Sequence, residues 1–113
     1  GAAILTDSGE IVTGANIENA SYGLTICAER VAAVKAAYEG ARRFRAIAIT
    51  APNAERASPC GACRQVLFEF VPRDGDTIVI LDGRDGPTIT SVRALLPGAF
   101  GPADLGPTAP ADS

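Results

Sequence analysis

Three cysteines, divided between two short stretches that each read as the start of a helix, constrain this chain more than anything else in it. One stretch is Cys27-Ala28-Glu29-Arg30 and the other is Pro59-Cys60-Gly61-Ala62-Cys63-Arg64-Gln65. Cys60 and Cys63, at i and i+3, share one helix face. A Cys-x-x-Cys by itself is a redox pair or half of a structural zinc site, and three unrelated cysteines would be ordinary core residues. A structural site takes four protein ligands, however, and the chain has three thiols and no histidine. Three ligands leave a zinc ion one position for water, which is the catalytic arrangement. A redox role would leave Cys27 and Glu29 without a task. The expected fold therefore brings two helix N-termini together around one zinc ion per chain.

Charge dictates what must surround such a site. Three thiolates around a divalent cation leave net negative charge, which would hold the pKa of a bound water above the value near 7 typical of catalytic zinc. The N-terminal amides of both helices offset part of it. Arg30, three residues after Cys27, supplies a full positive charge and several donors to sulfur. Glu29 follows Cys27 by two and would not share its face on a regular helix. The two converge only if metal and substrate lie off the helix end. With no histidine present, this carboxylate is the candidate general base.

The remaining chain reads as alternating strands and helices. Residues 2–15 form a hairpin around Asp7-Ser8-Gly9, and 16–23 a polar loop. A helix over 26–39 shows Val31, Val34 and Ala37 at helical spacing, with Thr25 as N-cap and Gly40 as stop. Phe44 to Thr50 is a buried strand. A second helix runs from Cys60 to about Phe70, with Ser58 as cap and Pro59 at its first position. Strands at 77–81 and 88–90 follow, the latter at an edge, and Ser91 caps a last helix to Leu96. This order predicts an α/β fold, a three-layer α/β/α sandwich on a mixed, mostly parallel five-stranded sheet. Residues 1–105 form the one domain and 106–113 a disordered tail.

Composition narrows the partners. Of the 113 residues, 47% are hydrophobic and 20% charged, which suits a globular domain. The net charge of −3 lacks the basic footprint of polynucleotide binders, and the Arg42, Arg43, Arg45 cluster reads as a solvated helix end. No segment has the length of a membrane span and no leader opens the chain. The expectation is a cytoplasmic protein with a small neutral substrate, not a nucleic acid or a membrane.

With these motifs in hand, the chain resembles the small homotetrameric, zinc-dependent cytidine deaminases. The resemblance covers Gly14-x-Asn16-Ile17-Glu18-Asn19-Ala20-Ser21-Tyr22, both cysteine stretches and Leu95-Leu96-Pro97-Gly98-Ala99-Phe100. It implies zinc on Cys27, Cys60 and Cys63, with Glu29 moving protons as water replaces the amine at C4 of the base. It implies that Asn16 and Glu18 bind the ribose hydroxyls, that backbone near Cys27 and Ala28 meets the base, and that Arg30 and Gln65 temper the thiolate charge. Neighbouring subunits of a homotetramer would share sites through Ala20, Tyr22 and Phe100. A carboxylate at Glu18 would repel a 5′-phosphate, which favours nucleosides over nucleotides. The family places an N-terminal helix before the Gly-Ala-Ala strand; here that glycine is residue 1, and the helix is expected to be missing. Two rival readings are a deaminase of a modified cytosine nucleoside such as blasticidin S and a non-catalytic zinc-thiolate assembly module. Preference between cytidine and deoxycytidine is not legible in these residues.

Overall fold

The computed structural model describes residues 1–52 and 57–105, so the tail expected beyond residue 105 lies outside the described residues. In chain order it comprises β1 (Ala2–Thr6), β2 (Ile11–Gly14), α1 (Ala28–Tyr38), β3 (Phe44–Ile49), α2 (Gly61–Phe68), β4 (Ile78–Leu81), β5 (Thr88–Ser91) and the single-turn α3 (Val92–Leu95). Short 3-10 turns occupy Tyr22–Leu24 and Pro102–Leu105. The β1–β2 hairpin forms where expected, because Gly9 takes φ +90° and the turn closes with Gly9 N–H donating to the Thr6 carbonyl at 3.0 Å. Gly40, at φ +107°, ends α1 as expected. Ala41 N–H reaches back to the Ala36 carbonyl at 2.9 Å, and the Arg42 guanidinium caps the Ala37 carbonyl.

The sheet is mixed and five-stranded, in the order β2-β1-β3-β4-β5. Among the described residues only the β3–β4 ladder is parallel; β1–β2, β1–β3 and β4–β5 are antiparallel. This corrects the expectation of a mostly parallel sheet. β2, β3 and β4 do run the same way, but β1 inserts antiparallel between β2 and β3 and turns one expected parallel ladder into two antiparallel ones.

The placement of the two long helices follows from their connections. The connections β2–α1–β3 and β3–α2–β4 join strands of the same direction and both step the same way across the sheet. Right-handed crossovers of that kind put both helices on one face. On that face Ile4, Ile47, Val79 and Leu81 are buried in a single core with Ala32, Ala36 and Leu67 of the helices. On the opposite face, Ile11, Ile78 and Ile89 stand exposed, and no helix of the described residues covers them.

The buried side of α1 differs from the one its apolar spacing suggested. Its core contacts are Ala28, Ala32, Ala33 and Ala36, whereas Val34 is 56% exposed. The reason is a close approach to β2. A Cβ on Gly14 would stand 2.5 Å from both the Ala28 carbonyl oxygen and the Ala32 nitrogen. At that separation only small side chains fit between helix and strand, so alanine holds the interface and valine faces out. Among the described residues no helix is long and apolar enough to cross a membrane.

Candidate active site

A cysteine stands at the N-cap position of each helix, and at α2 its sulfur makes the capping bond. Cys27 is the N-cap of α1 and Cys60 the N-cap of α2, in place of Thr25 and Ser58 as the sequence suggested. The Cys60 sulfur accepts the Cys63 N–H at 3.4 Å, doing the work a serine hydroxyl does at most N-caps. Both displaced hydroxyls are engaged elsewhere. Thr25 Oγ1 accepts from Asn19 N–H at 3.1 Å, and Ser58 Oγ accepts from Arg64 Nη2 at 2.9 Å.

The three sulfurs converge as the sequence predicts. Cys27 Sγ lies 4.0 Å from Cys60 Sγ, Cys60 Sγ lies 3.3 Å from Cys63 Sγ, and all three fall within 4.8 Å of one another. Tetrahedral zinc with Zn–S bonds near 2.3 Å needs sulfurs about 3.8 Å apart. The observed separations bracket that value, so the donor set fits zinc in both chemistry and size. Cys27 is half-buried, Cys60 exposed and Cys63 buried, so the cluster opens to one side at the surface.

Two ligands are pulled apart in acidity. The Cys63 backbone N–H lowers the pKa of Cys60. Burial pushes the Cys63 thiol well up, helped by its hydrogen bond with Cys60 and by the negative charge of Glu29. Glu29 itself is buried in the first turn of α1, close enough for its charge to bear on Cys63. Arg30 donates through Nη2 to Cys27 Sγ at 3.7 Å and to the Thr25 carbonyl at 3.3 Å. Its guanidinium pKa is raised, chiefly by the hydrogen bond to Cys27 and next by that to Cys63. Arg30 Nε is buried without a hydrogen-bond partner among the described residues.

The loop expected at 16–23 is more ordered than a polar run suggests. Ile17 and Ile26 exchange backbone hydrogen bonds at 2.9 and 3.0 Å in an isolated antiparallel bridge. Antiparallel register puts Asn16 across from Cys27 and Glu18 across from Thr25. The ribose-binding candidates are thereby held beside the first zinc ligand, and Asn16 Nδ2 donates to the Glu18 carboxylate. Ala28 is buried against the core at the same helix end. Ala20, Tyr22 and Phe100 stand on the surface instead, Tyr22 being 88% and Phe100 62% exposed.

Gln65 departs from its expected place. Its Nε2 donates to the Phe100 carbonyl at 2.9 Å, and among the described residues it reaches no sulfur. Sequence reasoning missed Arg64, whose guanidinium donates to the Pro59 carbonyl, the Leu95 carbonyl and Ser58 Oγ, each at 2.9 Å. The fork geometry of arginine suits such a three-way clasp. The signal was its position next to Cys63, but two of its three partners are backbone carbonyls that no sequence pattern identifies.

Comparison with known proteins agrees with this geometry. Residues 1–80 match the family model described as the cytidine and deoxycytidylate deaminase zinc-binding region. The chain is 51% identical to a cytidine deaminase from Halalkalibacterium halodurans, over 93% of this chain and 79% of that one. It is 31% identical to a blasticidin-S deaminase from Bacillus cereus, over 86% of this chain and 73% of that one. Its fold superposes on the crystal structure of a cytidine deaminase from Burkholderia pseudomallei with a TM-score of 0.75 at 42% identity, covering 88% of this chain and 79% of the other.

Proposed function

The chain belongs to the cytidine and deoxycytidylate deaminase zinc-binding family, and from that premise we propose that it hydrolyses cytidine and deoxycytidine to uridine or deoxyuridine and ammonia. The observation that carries this reading is the convergence of three thiols and the buried Glu29 at two facing helix N-termini. The catalytic unit is residues 1–105.

Zinc held by Cys27, Cys60 and Cys63 supplies the Lewis acidity that makes water a nucleophile near neutral pH. Glu29 accepts a proton from the attacking water and delivers it to N3 of the base as the new C4–O bond forms. The same carboxylate then takes the second proton from the new C4 hydroxyl and passes it to the exocyclic amine; the C4 carbonyl forms, the C4–N bond breaks, and ammonia leaves. In this reading the backbone at Cys27 and Ala28 meets the base edge, and Asn16 and Glu18, held beside Cys27 by the Ile17–Ile26 bridge, bind the ribose hydroxyls. Arg30 offsets the thiolate charge through its contact with Cys27.

The surface placement of Ala20, Tyr22 and Phe100 supports a role for them in sites of adjacent subunits of a homotetramer. Three free thiols suit the reducing cytoplasm. A spectrophotometric cytidine assay, run beside zinc quantification on the assembled protein, tests the reading. Cytidine turnover with one zinc per chain is expected. Zinc without ammonia release would favour an assembly module, and turnover confined to blasticidin S would favour the modified-nucleoside reading, for which the 31% identical relative is the support.

A further inference from the structure

The segment from Leu95 to Gly101 is held tightly by its backbone while its largest side chain points away from the protein. Arg64 holds the Leu95 carbonyl at 2.9 Å, Gln65 holds the Phe100 carbonyl at 2.9 Å, and Gly101 N–H donates to Asp104 Oδ2 at 2.8 Å. Gly101 lies so close to the Phe68 ring of α2 that a Cβ there would fall 2.3 Å from a ring carbon. Gly98, at φ +65°, supplies the turn that brings the segment back onto the helix. Fixing a backbone at this many points costs conformational entropy, and no burial of the Phe100 ring recovers it, since that residue is 62% exposed. Such a segment presents an aromatic ring for a contact outside its own subunit.

Two of the grips come from Arg64 and Gln65, the residues directly after the zinc ligand Cys63. We propose that Gln65 is a positioning residue that ties the Phe100 ring to the metal-bearing helix, so that the zinc corner of one subunit sets the placement of an aromatic contact to the base in a neighbouring site. This rests on the proposed role of Phe100 in the site of an adjacent subunit. It replaces the charge-balancing role expected for Gln65 from sequence, because the amide that would reach a thiolate is directed at a carbonyl instead. Gln65 is exposed on α2, so its truncation leaves the core intact.

The test is a double-mutant cycle on the zinc-loaded, assembled enzyme with Gln65→Ala, Phe100→Ala and the double variant. It reads KM and kcat for cytidine, zinc affinity by chelator competition, and the pH–rate profile. Gln65→Ala is expected to raise KM about fivefold, the loss falling in KM more than in kcat, with zinc affinity and pH profile as in the wild type. The double variant is expected to be no worse than Phe100→Ala alone. Weakened zinc binding or a displaced pH profile in Gln65→Ala, with KM unchanged, would overturn the proposal in favour of a role at the thiolates. Additive losses in the double variant would overturn it as well. Phe100→Ala with wild-type KM would instead defeat the assignment of Phe100 to substrate, and the role of Gln65 with it.

Discussion

Gly14 and Ala32 touch through their backbones: a Cβ on residue 14 would sit 2.5 Å from the Ala32 nitrogen and 3.0 Å from its Cα. That contact fixes the depth at which the N-terminus of α1 sits against β2. It thereby fixes the distance from Glu29 and Cys27, at the start of α1, to Asn16, two residues past Gly14. The clash would be with backbone, so no side-chain rotation relieves it. Gly14→Ala should destabilise the fold by about 2 kcal/mol or more and raise KM for cytidine as helix and loop are forced apart. Chemical denaturation with parallel kinetics checks this; wild-type stability in the variant would mean the helix can shift freely.

Glu29→Gln keeps the shape of the side chain and removes its ability to take a proton. Turnover should fall about 10²–10⁴-fold, the usual contribution of a positioned acid-base group, while zinc content and thermal stability stay near wild type. Activity within a few-fold of wild type would show that another group moves the proton.

How much of this was legible in the sequence depends on the range of the interactions involved. The convergence of the three cysteines and the contact of Arg30 with Cys27 were legible because ligand spacing at helix starts brings such side chains together. The Asp7-Ser8-Gly9 turn and the Gly40 stop were legible because glycine signals its own backbone geometry. The caps were not, since a thiol that doubles as N-cap looks like any other cysteine until its amide partner is known. The buried face of α1 was misread because apolar spacing favours valine, and the constraint that selects alanine comes from a glycine 18 residues away in sequence. The reach of Arg64 to Leu95 and the grip of Gln65 on Phe100 were illegible for the same reason: both end on carbonyl oxygens more than 30 residues distant.

Arg30→Ala removes a guanidinium that donates to Cys27 Sγ while leaving the thiolates in place. The remaining negative charge should weaken zinc binding about 10–100-fold, as loss of a group supporting a metal ligand commonly does, and should raise the pH needed for half-maximal activity. Arg30→Lys should recover only part of this, since an ammonium keeps the positive charge but lacks the rigid planar donor set of the guanidinium. Competition with a chromophoric chelator and a pH–rate profile check both. An unchanged profile in Arg30→Ala would show that helix amides alone balance the charge.

Metal uptake should depend on pH chiefly through Cys63. Burial raises the pKa of this thiol in the metal-free fold, and its contacts with Cys60 and Glu29 add to the effect; at neutral pH it therefore carries its proton, which zinc must displace. Apparent affinity should accordingly rise with pH, by about tenfold per pH unit for each proton released. The same shift has a consequence for the metal-free fold. A thiol whose folded pKa lies above its unfolded value stabilises the fold below the ordinary thiol range, and that contribution is lost as pH rises through and beyond it. Zinc-free protein should therefore lose stability on going from neutral to strongly alkaline pH, whereas zinc-loaded protein, with Cys63 already deprotonated, should not show this loss. Calorimetric zinc titrations in buffers of different ionisation enthalpy count the released protons, and thermal melts of both forms across the alkaline range read the second effect. Binding without proton release at neutral pH would mean that Cys63 is already a thiolate before the metal arrives.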